Sequence, residues 1–327
     1  MKKTFSLAML LVLAMSFSAF AASGGMPMSG PYKDGTRLSL ATGGEQGEYF
    51  AFGKALSDVV SKKTTTAVNV IASDGSVANI LALENGMVNL AFIQTDIGFY
   101  ASRGTRLFPA KHSGFSTVAV LYPEPVQIVT LDSKIERIED LKGKTIAVGA
   151  EGSGTFFNAL DVLEAYGLDI DTDVNPVYAS FAESVEALMS GKIDAAFIVA
   201  GTPTPAVAEL AKSVKVYFVS FDDKHIMDLI AKHPYYGKYE LPKTTYGTDE
   251  NDVTVAVYSV IVARDDVPAN DVYNFLYGIF ENLDEVSANN ARGQALSLKT
   301  AAGYPAVPYH KGAVKYLGEK GILVSSR

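Results

Sequence analysis

A glycine-rich turn near the middle of the chain has the residue types that bind anions. In the segment TIAVGAEGSGTFFNALDVL (145–163), an apolar run predicts a short buried strand, and residues at helical spacing predict a helix after the turn. The first N–H groups of a helix lack intrahelical partners and lie at its positive end, so they can bind a carboxylate or phosphate. The alternative is an ordinary strand-to-helix connection whose glycines serve geometry alone. The turn residues are Gly149, Gly152, Ser153, Gly154 and Thr155.

Ser153 could instead be the nucleophile of an exported hydrolase. The Gly-x-Ser-x-Gly pattern is absent from this turn, and a serine nucleophile needs a base held beside it. No histidine falls in a predicted strand-end turn, and the histidines lack the clustered spacing of a metal site. The four are His112, His225, His233 and His310. We therefore expect a protein that is not an enzyme, with no metal and no cofactor.

Turns of the same kind follow strands earlier in the chain. A strand at 37–41 leads into the glycine-rich turn 42–47, and a strand at 67–72 leads into the turn 73–76. A third strand ends at the polar residues 94–96. Strands that alternate with helices imply a parallel sheet, whose ligands bind beyond the carboxyl ends of the strands.

The second half of the chain repeats this alternation and predicts a second lobe. Strands at 117–121 and 126–131 flank Tyr122-Pro123-Glu124-Pro125, and two prolines spaced by one residue stiffen a connection between lobes. Residues 222–252 look irregular, and the strand predicted at 253–263 returns to the first lobe. Two crossings between lobes imply a hinge.

The N-terminus has the features of a secretory signal peptide. Lys2 and Lys3 form a positive region, an apolar core follows at 5–14, and Ala19-Phe20-Ala21 fits the small-x-small cleavage pattern. The alternative is a membrane anchor, for which the apolar core is short. We predict a signal peptide at 1–21, a flexible leader at 22–35 and a periplasmic location.

Composition narrows the classes of partner. Hydrophobic residues make up 48% and charged residues 20% of the chain, as in a well-cored globular protein. The net charge is −8 with no basic block, which argues against nucleic acid and anionic membrane surfaces. The chain has no cysteine, which excludes disulfides, thiolate metal sites and a lipid anchor on an N-terminal cysteine. A monomer is the default expectation.

A set of motifs, taken together, resembles a known family. In order and spacing they are similar to the TAXI family of extracytoplasmic solute receptors for TRAP transporters, over nearly the whole mature chain. The motifs are ATGGEQGEYF (41–50), SDGSVAN (73–79), AFIQTD (91–96), LYPEPV (121–126), VGAEGSGT (148–155) and FIVAGTPTPA (197–206).

The resemblance implies a fold, a partner and a ligand class. The fold is an α/β, two-lobe periplasmic-binding-protein fold of type II, in which each lobe is a mostly parallel sheet flanked by helices and the ligand cleft lies between lobes. We expect lobe 1 at 36–124 plus 260–327 and lobe 2 at 125–259. The implied partner is a sodium-coupled TRAP transporter, and the implied ligands are glutamate, glutamine and dicarboxylates such as 2-oxoglutarate. The fold alone also permits an ABC-importer receptor or a sensor-kinase receptor.

The predicted ligand-binding residues lie in the strand-end turns and at the lobe crossing. Backbone N–H groups and neutral donors should hold the carboxylate, since neither arginine nor lysine occurs in the facing turns. Each of several residues also has a structural alternative. Tyr49 could pack in the core, and Gln94 and Thr95 could form a solvated strand end. Pro203 could start a helix, and Phe181 could form a hydrophobic staple. The predicted set is Thr42, Gly43, Gly44, Tyr49, Gly75, Ser76, Gln94, Thr95, Tyr122, Gly152, Ser153, Gly154, Thr155, Phe181, Thr202 and Pro203.

Overall fold

The computed structural model describes residues 28–106, 108–304 and 306–326, so the predicted signal peptide lies outside the described residues. The described part of the predicted flexible leader, 28–35, is bound to the C-terminal part of the chain. The Ser29 N–H and hydroxyl donate to the Glu319 carboxylate at 3.0 and 2.8 Å. The Tyr32 N–H donates to the Asn274 side chain at 2.7 Å. Hydrogen bonds therefore hold the described part of the leader predicted at 22–35.

Strands and helices alternate along most of the described chain. The strands are β1 (Arg37–Ala41), β2 (Ala67–Ile71), β3 (Leu90–Gln94), β4 (Phe115–Thr130), β5 (Thr145–Ala147), β6 (Asn175–Val177), β7 (Ala195–Val199), β8 (Tyr217–Phe218), β9 (Gly237–Leu241) and β10 (Asp252–Arg264). The helices are α1 (Glu48–Lys63), α2 (Ser76–Glu84), α3 (Thr95–Arg103), α4 (Gly154–Ala165), α5 (Phe181–Met189), α6 (Pro205–Ser213), α7 (Asp223–Lys232), α8 (Ala269–Phe280), α9 (Leu283–Asn289), α10 (Leu298–Ala301) and α11 (Lys311–Glu319). Short 3₁₀ turns occur at Ile138–Leu141, Lys243–Thr245 and Ala291–Ala295.

The described strands form one ten-stranded sheet in the order β2-β1-β3-β10-β4-β7-β5-β6, with β8 beside β4 and β9 beside β10. Pairing is parallel within β1, β2 and β3 and within β5, β6 and β7. The two long strands β4 and β10 run antiparallel to their neighbours and pass from one lobe into the other. The lobes are thus joined by two continuous strands.

The sequence predicted two strands with a connection at the lobe crossing, but β4 runs through this region as a single strand. Pro123 and Pro125 pair with Tyr258 and Ala256 of β10, and the pairing of β4 with β7 begins only at Val126. At the prolines β4 therefore has a neighbour on one side. A proline, which has no N–H to donate, is tolerated in such an edge-like position.

Apolar side chains cover both faces of the sheet in each lobe. In lobe 1, Phe92 of β3 packs with α1, α8 and α11, and the next residue, Ile93, packs with α2 and α3. In lobe 2, Ile146 of β5 faces α4 and α7, and Ala147 faces α5 and α6. Successive strand residues point to opposite faces, so each lobe is a three-layer α/β unit whose strand ends remain free for a site.

Candidate functional site

A cavity of about 330 Å³ lies between the lobes, within the size range of small-molecule sites. Lobe 1 contributes the loops after β1 and β2, the end of β3 and part of β4, and lobe 2 contributes the residues after β5, before α5 and at the end of β7. The lining residues are Gly43, Gly44, Glu45, Gln46, Gly47, Glu48, Tyr49, Ser73, Asp74, Gly75, Ser76, Gln94, Glu124, Ala150, Ser153, Gly154, Thr155, Ser180, Phe181, Ala182, Val199 and Ala200.

Four helices begin at this cavity. The first residues of α1, α2, α4 and α5 are Glu48, Ser76, Gly154 and Phe181, and all of them line it. The first-turn N–H groups of a helix have no intrahelical acceptor and carry the positive end of the helix dipole. Helix ends from both lobes therefore favour a negatively charged group placed between them.

The turn before α4 depends on glycine for steric reasons. Gly149 has φ +94°, and a Cβ on it would lie 2.7 Å from Ser153 Oγ and 2.8 Å from Thr155 Cβ. A Cβ on Gly154 would lie 1.4 Å from Gln94 Oε1, an atom of the opposite lobe. The first glycine lets the chain turn, and the second lets the lobes approach.

Ser153 is the N-cap of α4. Its Oγ accepts the Phe156 N–H at 3.3 Å, so the hydroxyl oxygen serves the helix, while its proton remains able to reach the cavity. No histidine is among the described residues that line the cavity. The described part of the chain also contains no group of three His, Cys, Asp or Glu side chains that could hold a metal ion.

The structure brings most of the predicted site residues to the cavity. The predicted residues that line it are Gly43, Gly44, Tyr49, Gly75, Ser76, Gln94, Ser153, Gly154, Thr155 and Phe181. The cavity lining does not include Thr42, Thr95, Tyr122, Gly152, Thr202 and Pro203.

The three threonines outside the lining make contacts within the protein. The Thr42 hydroxyl donates to the carbonyl of Ile71 at 2.8 Å. Thr95 Oγ1 accepts the Tyr258 N–H at 3.2 Å. The Thr202 hydroxyl shares a hydrogen bond of 3.2 Å with a tyrosine hydroxyl of β9, and it precedes Pro203 across a cis peptide bond. These hydroxyl groups form hydrogen bonds with residues of β2, β10 and β9.

Tyr122 and Gly152 serve packing and lobe contact. Tyr122 is fully buried and its ring packs edge-on against Phe52, with centroids 5.4 Å apart. The Gly152 carbonyl accepts the N–H groups of Val77 and Ala78 at 3.1 and 3.4 Å. Two first-turn donors of α2 are therefore used for contact between the lobes.

A second set of hydrogen bonds joins the lobes beside the cavity. Asn158 of α4 donates to Asp96 Oδ2 at 3.0 Å and to the Tyr236 hydroxyl at 2.8 Å, and its oxygen accepts Gln94 Nε2 at 3.1 Å. Arg106 pairs with the buried carboxylate of Asp161 nearby. The structure thus has the lobes in mutual contact.

The cavity also has acidic side chains that are outside the predicted set. Glu124 is 1% exposed and lines it from β4. The Tyr49 hydroxyl donates to Glu124 Oε2 at 2.9 Å, whereas Oε1 is buried with no hydrogen-bond partner among the described atoms. Burial raises the pKa of Glu124 well above its usual value. Burial also raises the pKa of Glu48 to about 7, against the opposing effects of Asn290 and Arg292.

The described cavity wall has no positively charged side chain. Neither lysine nor arginine occurs among the described residues that line it. From the sequence, Glu124 between its two prolines could contact a ligand amine, but a carboxylate that stabilises the hinge was the favoured interpretation. Its burial depends on residues far away in the chain and could not be predicted. The other lining residues outside the predicted set are Glu45, Gln46, Gly47, Ser73, Asp74, Ala150, Ser180, Ala182, Val199 and Ala200.

Two α/β lobes are joined by two long strands, with a cavity between the lobes. This is the periplasmic-binding-protein fold, and the fold class predicted from the sequence is confirmed. The chain belongs to the NMT1-like family, whose sequence profile matches residues 40–321. No helix in the described ranges has the length and apolarity needed to cross a bilayer.

Solved structures with this fold are distant in sequence. MatC from Rhodopseudomonas palustris, with bound malate, is 14% identical with a TM-score of 0.55, covering 80% of this chain and 90% of that chain. A protein from Bordetella bronchiseptica RB50 is 19% identical with a TM-score of 0.51, covering 88% and 83%. The periplasmic aliphatic sulphonate binding protein SsuA from Escherichia coli is 17% identical with a TM-score of 0.46, covering 88% and 84%. At these identities the likeness is one of fold.

Proposed function

We propose that the protein is a periplasmic solute receptor that captures a small organic acid between its lobes. The observation that carries this proposal is the convergence of helix N-termini from both lobes on one cavity. The positive ends of these helix dipoles favour a carboxylate there, although two N–H groups of α2 are already bonded to Gly152. The volume suits a molecule of amino-acid or dicarboxylate size. The two connecting strands, β4 and β10, supply the hinge that capture and release require.

The ligand proposed is glutamate, glutamine or a related dicarboxylate such as 2-oxoglutarate. This assignment comes from the resemblance of the strand-end motifs to the TAXI family. The helix N-termini at the cavity support the presence of a carboxylate group in the ligand. MatC, which shares the fold, is known with malate bound, so organic acids are compatible with this architecture.

The partner proposed is a TRAP-type sodium-coupled membrane transporter, again from the motif resemblance. A receptor for an ABC importer or a sensor kinase would have the same lobes and cleft. Uptake of radiolabelled L-glutamate in proteoliposomes that contain the membrane subunits separates these partners. A requirement for a sodium gradient supports the proposal, and a requirement for ATP contradicts it.

The arrangement favours binding over catalysis. Ser153, the one candidate nucleophile considered from the sequence, caps α4 through its oxygen. No histidine of the described residues lines the cavity to act as its base. We therefore propose a receptor that works without cofactor or metal. We also propose that it is a monomer and that it is exported through the signal peptide predicted at 1–21, with cleavage after Ala21.

A thermal-shift screen of amino acids, 2-oxo acids and dicarboxylates tests the receptor function, because a solute that binds only the folded protein raises its melting temperature. Hits are then measured by isothermal titration calorimetry and incubated for product analysis by mass spectrometry. A hit that is recovered unchanged supports the receptor. Conversion of a hit into a product, or the absence of any carboxylate among the hits, contradicts it.

A further inference from the structure

Glu124 presents one unsatisfied carboxylate oxygen at the cavity between the lobes. The side chain is 1% exposed and lines the cavity, yet only its Oε2 has a described partner, the Tyr49 hydroxyl at 2.9 Å. Oε1 is buried without a hydrogen bond among the described atoms. A buried polar atom left unpaired is costly, and a functional site is one of the places where such a cost is retained.

Rigid neighbours hold this carboxyl group in place. Glu124 lies in β4 between Pro123 and Pro125, whose rings fix φ, and it pairs with Val257 of β10. The Tyr49 ring that binds Oε2 is stacked on the buried ring of Phe92, with centroids 4.8 Å apart. The free oxygen is therefore presented in a fixed position before any solute enters, which reduces the entropy lost on binding.

The cavity combines two kinds of electrostatic feature. The helix N-termini favour a carboxylate, but they offer nothing to a cation. The lining residues of lobe 1 include four acidic ones, Glu45, Glu48, Asp74 and Glu124, and the described lining contains neither lysine nor arginine. A dianionic solute such as 2-oxoglutarate would bring its second charge towards this acidic side. A zwitterion satisfies both sides.

We propose that Glu124 binds the ammonium group of the solute, so that the receptor takes an α-amino acid rather than an organic acid that lacks an amine. This inference rests on the receptor function proposed above and narrows its ligand class. Glu124 accepts an N–H of the ammonium group through Oε1, while Tyr49 holds Oε2. The carboxylate of the amino acid then lies towards the helix N-termini of both lobes. Burial raises the pKa of Glu124, and a cation beside the carboxylate lowers that pKa again because it stabilises the charged form.

Matched pairs of ligands test this inference on the full mature protein. The affinities of L-glutamate, 2-oxoglutarate and glutarate are measured by isothermal titration calorimetry, and the proteinogenic L-amino acids are compared with their 2-oxo acids by thermal shift. We expect an amino acid to bind about 100-fold or more tightly than its 2-oxo acid, since a charge-assisted hydrogen bond in a buried site is lost.

Substitution of the carboxyl group gives the second test. Glu124→Gln keeps the shape and the acceptor for Tyr49 but places an N–H group where an oxygen faced the ammonium. It should reduce amino-acid affinity about 100-fold and leave the affinity for 2-oxo acids within a few fold. Glu209→Gln, which removes an exposed carboxylate of α6 outside the cavity, is the control and should preserve the selectivity. If Glu124→Gln fails to fold, Tyr49→Phe provides a milder loss of the same selectivity.

The outcomes separate this inference from the function on which it rests. Equal affinity for an amino acid and its 2-oxo acid, or unchanged selectivity in Glu124→Gln, overturns the ammonium site and leaves the carboxylate receptor standing. Binding of an amine without a carboxylate, such as putrescine, with loss in Glu124→Gln, supports the ammonium site and overturns the carboxylate receptor. Failure of both classes to bind overturns both.

Discussion

Closure of the lobes depends on the absence of a side chain at Gly154. This residue is the first of α4 in lobe 2, and a Cβ on it would lie 1.4 Å from Gln94 Oε1 of lobe 1. Because Gly154 is not in the left-handed region, alanine fits its backbone, and alanine favours a helix over glycine by up to about 1 kcal/mol. Gly154→Ala should therefore preserve each lobe and oppose their contact.

The cost of closure in this variant follows from the contacts of Gln94. Non-bonded carbon and oxygen atoms need roughly 3.5 Å, so the two atoms must separate by about 2 Å. Gln94 is 3% exposed and its Nε2 donates to Asn158 across the lobes at 3.1 Å, so moving it breaks that bond. Loss of the bond and an unpaired Asn158 oxygen cost about 2 kcal/mol or more. If ligand binds the closed form, affinity falls at least about 30-fold.

Affinity and closure can be measured separately. Calorimetry with L-glutamate gives the affinity of wild type and Gly154→Ala. The chain has no cysteine, so cysteines introduced at Leu81 of lobe 1 and Met189 of lobe 2 allow specific spin labelling. Both positions are exposed, at 45% and 52%. Double electron–electron resonance should show a shortened distance on adding L-glutamate to wild type and a retained long distance in the variant.

Two controls make the test specific. Gly114→Ala adds a Cβ that meets no atom within 4 Å, so it should bind and close as wild type does. In a Gln94→Ala background the atoms that clash are removed, so Gly154→Ala should cost much less there. Normal closure by Gly154→Ala, or an equal loss of affinity in both backgrounds, refutes the steric reasoning.

Three further predictions concern stability. Burial, together with the Asp161 carboxylate, raises the pKa of Asp96 to about 7, so the folded state retains a proton and the unfolding free energy of wild type falls as pH rises from about 4 to about 7. Asp96→Asn should flatten that slope in urea unfolding, and an unchanged slope contradicts the assignment. Gly149→Ala should lower the unfolding free energy by roughly 1–3 kcal/mol in the same assay, because the φ of +94° strains any residue with a Cβ. A stability equal to that of Gly114→Ala would contradict this expectation. Ser153→Ala should lose about 1 kcal/mol with the α4 cap, and an unaltered melting temperature would count against that role.

Several elements were predictable because their signals are local. Hydrophobic runs and turn residues predicted strands close to β1, β3 and β10 and the glycine turns that follow β1 and β5. The segment 222–252 looked irregular, yet it contains α7 and β9. Its many tyrosines and charges obscure the pattern, and β9 is held by antiparallel pairing with β10, from Leu241 opposite Asp252 to Gly237 opposite Ala256.

The candidate site was predictable to the extent that it consists of strand ends. In a parallel sheet those ends meet at one edge, so the turns at Gly43, Gly75 and Ser153 could be grouped without coordinates. The direction in which each side chain points could not be predicted. Thr42, Thr95 and Thr202 also lie just after strands, but their hydroxyls bond to residues of neighbouring strands and do not line the cavity.

The sequence by itself determined the alternation of strands and helices and the glycines of the central turn, because these depend on neighbours a few residues apart. The tertiary structure decided which carboxyl groups are buried at the cavity and how closely the lobes approach. Tyr49 and Glu124 meet across 75 residues of chain, and Gln94 and Asn158 across 64. Contacts of that separation depend on how the two lobes pack, and no local pattern of residue types encodes them.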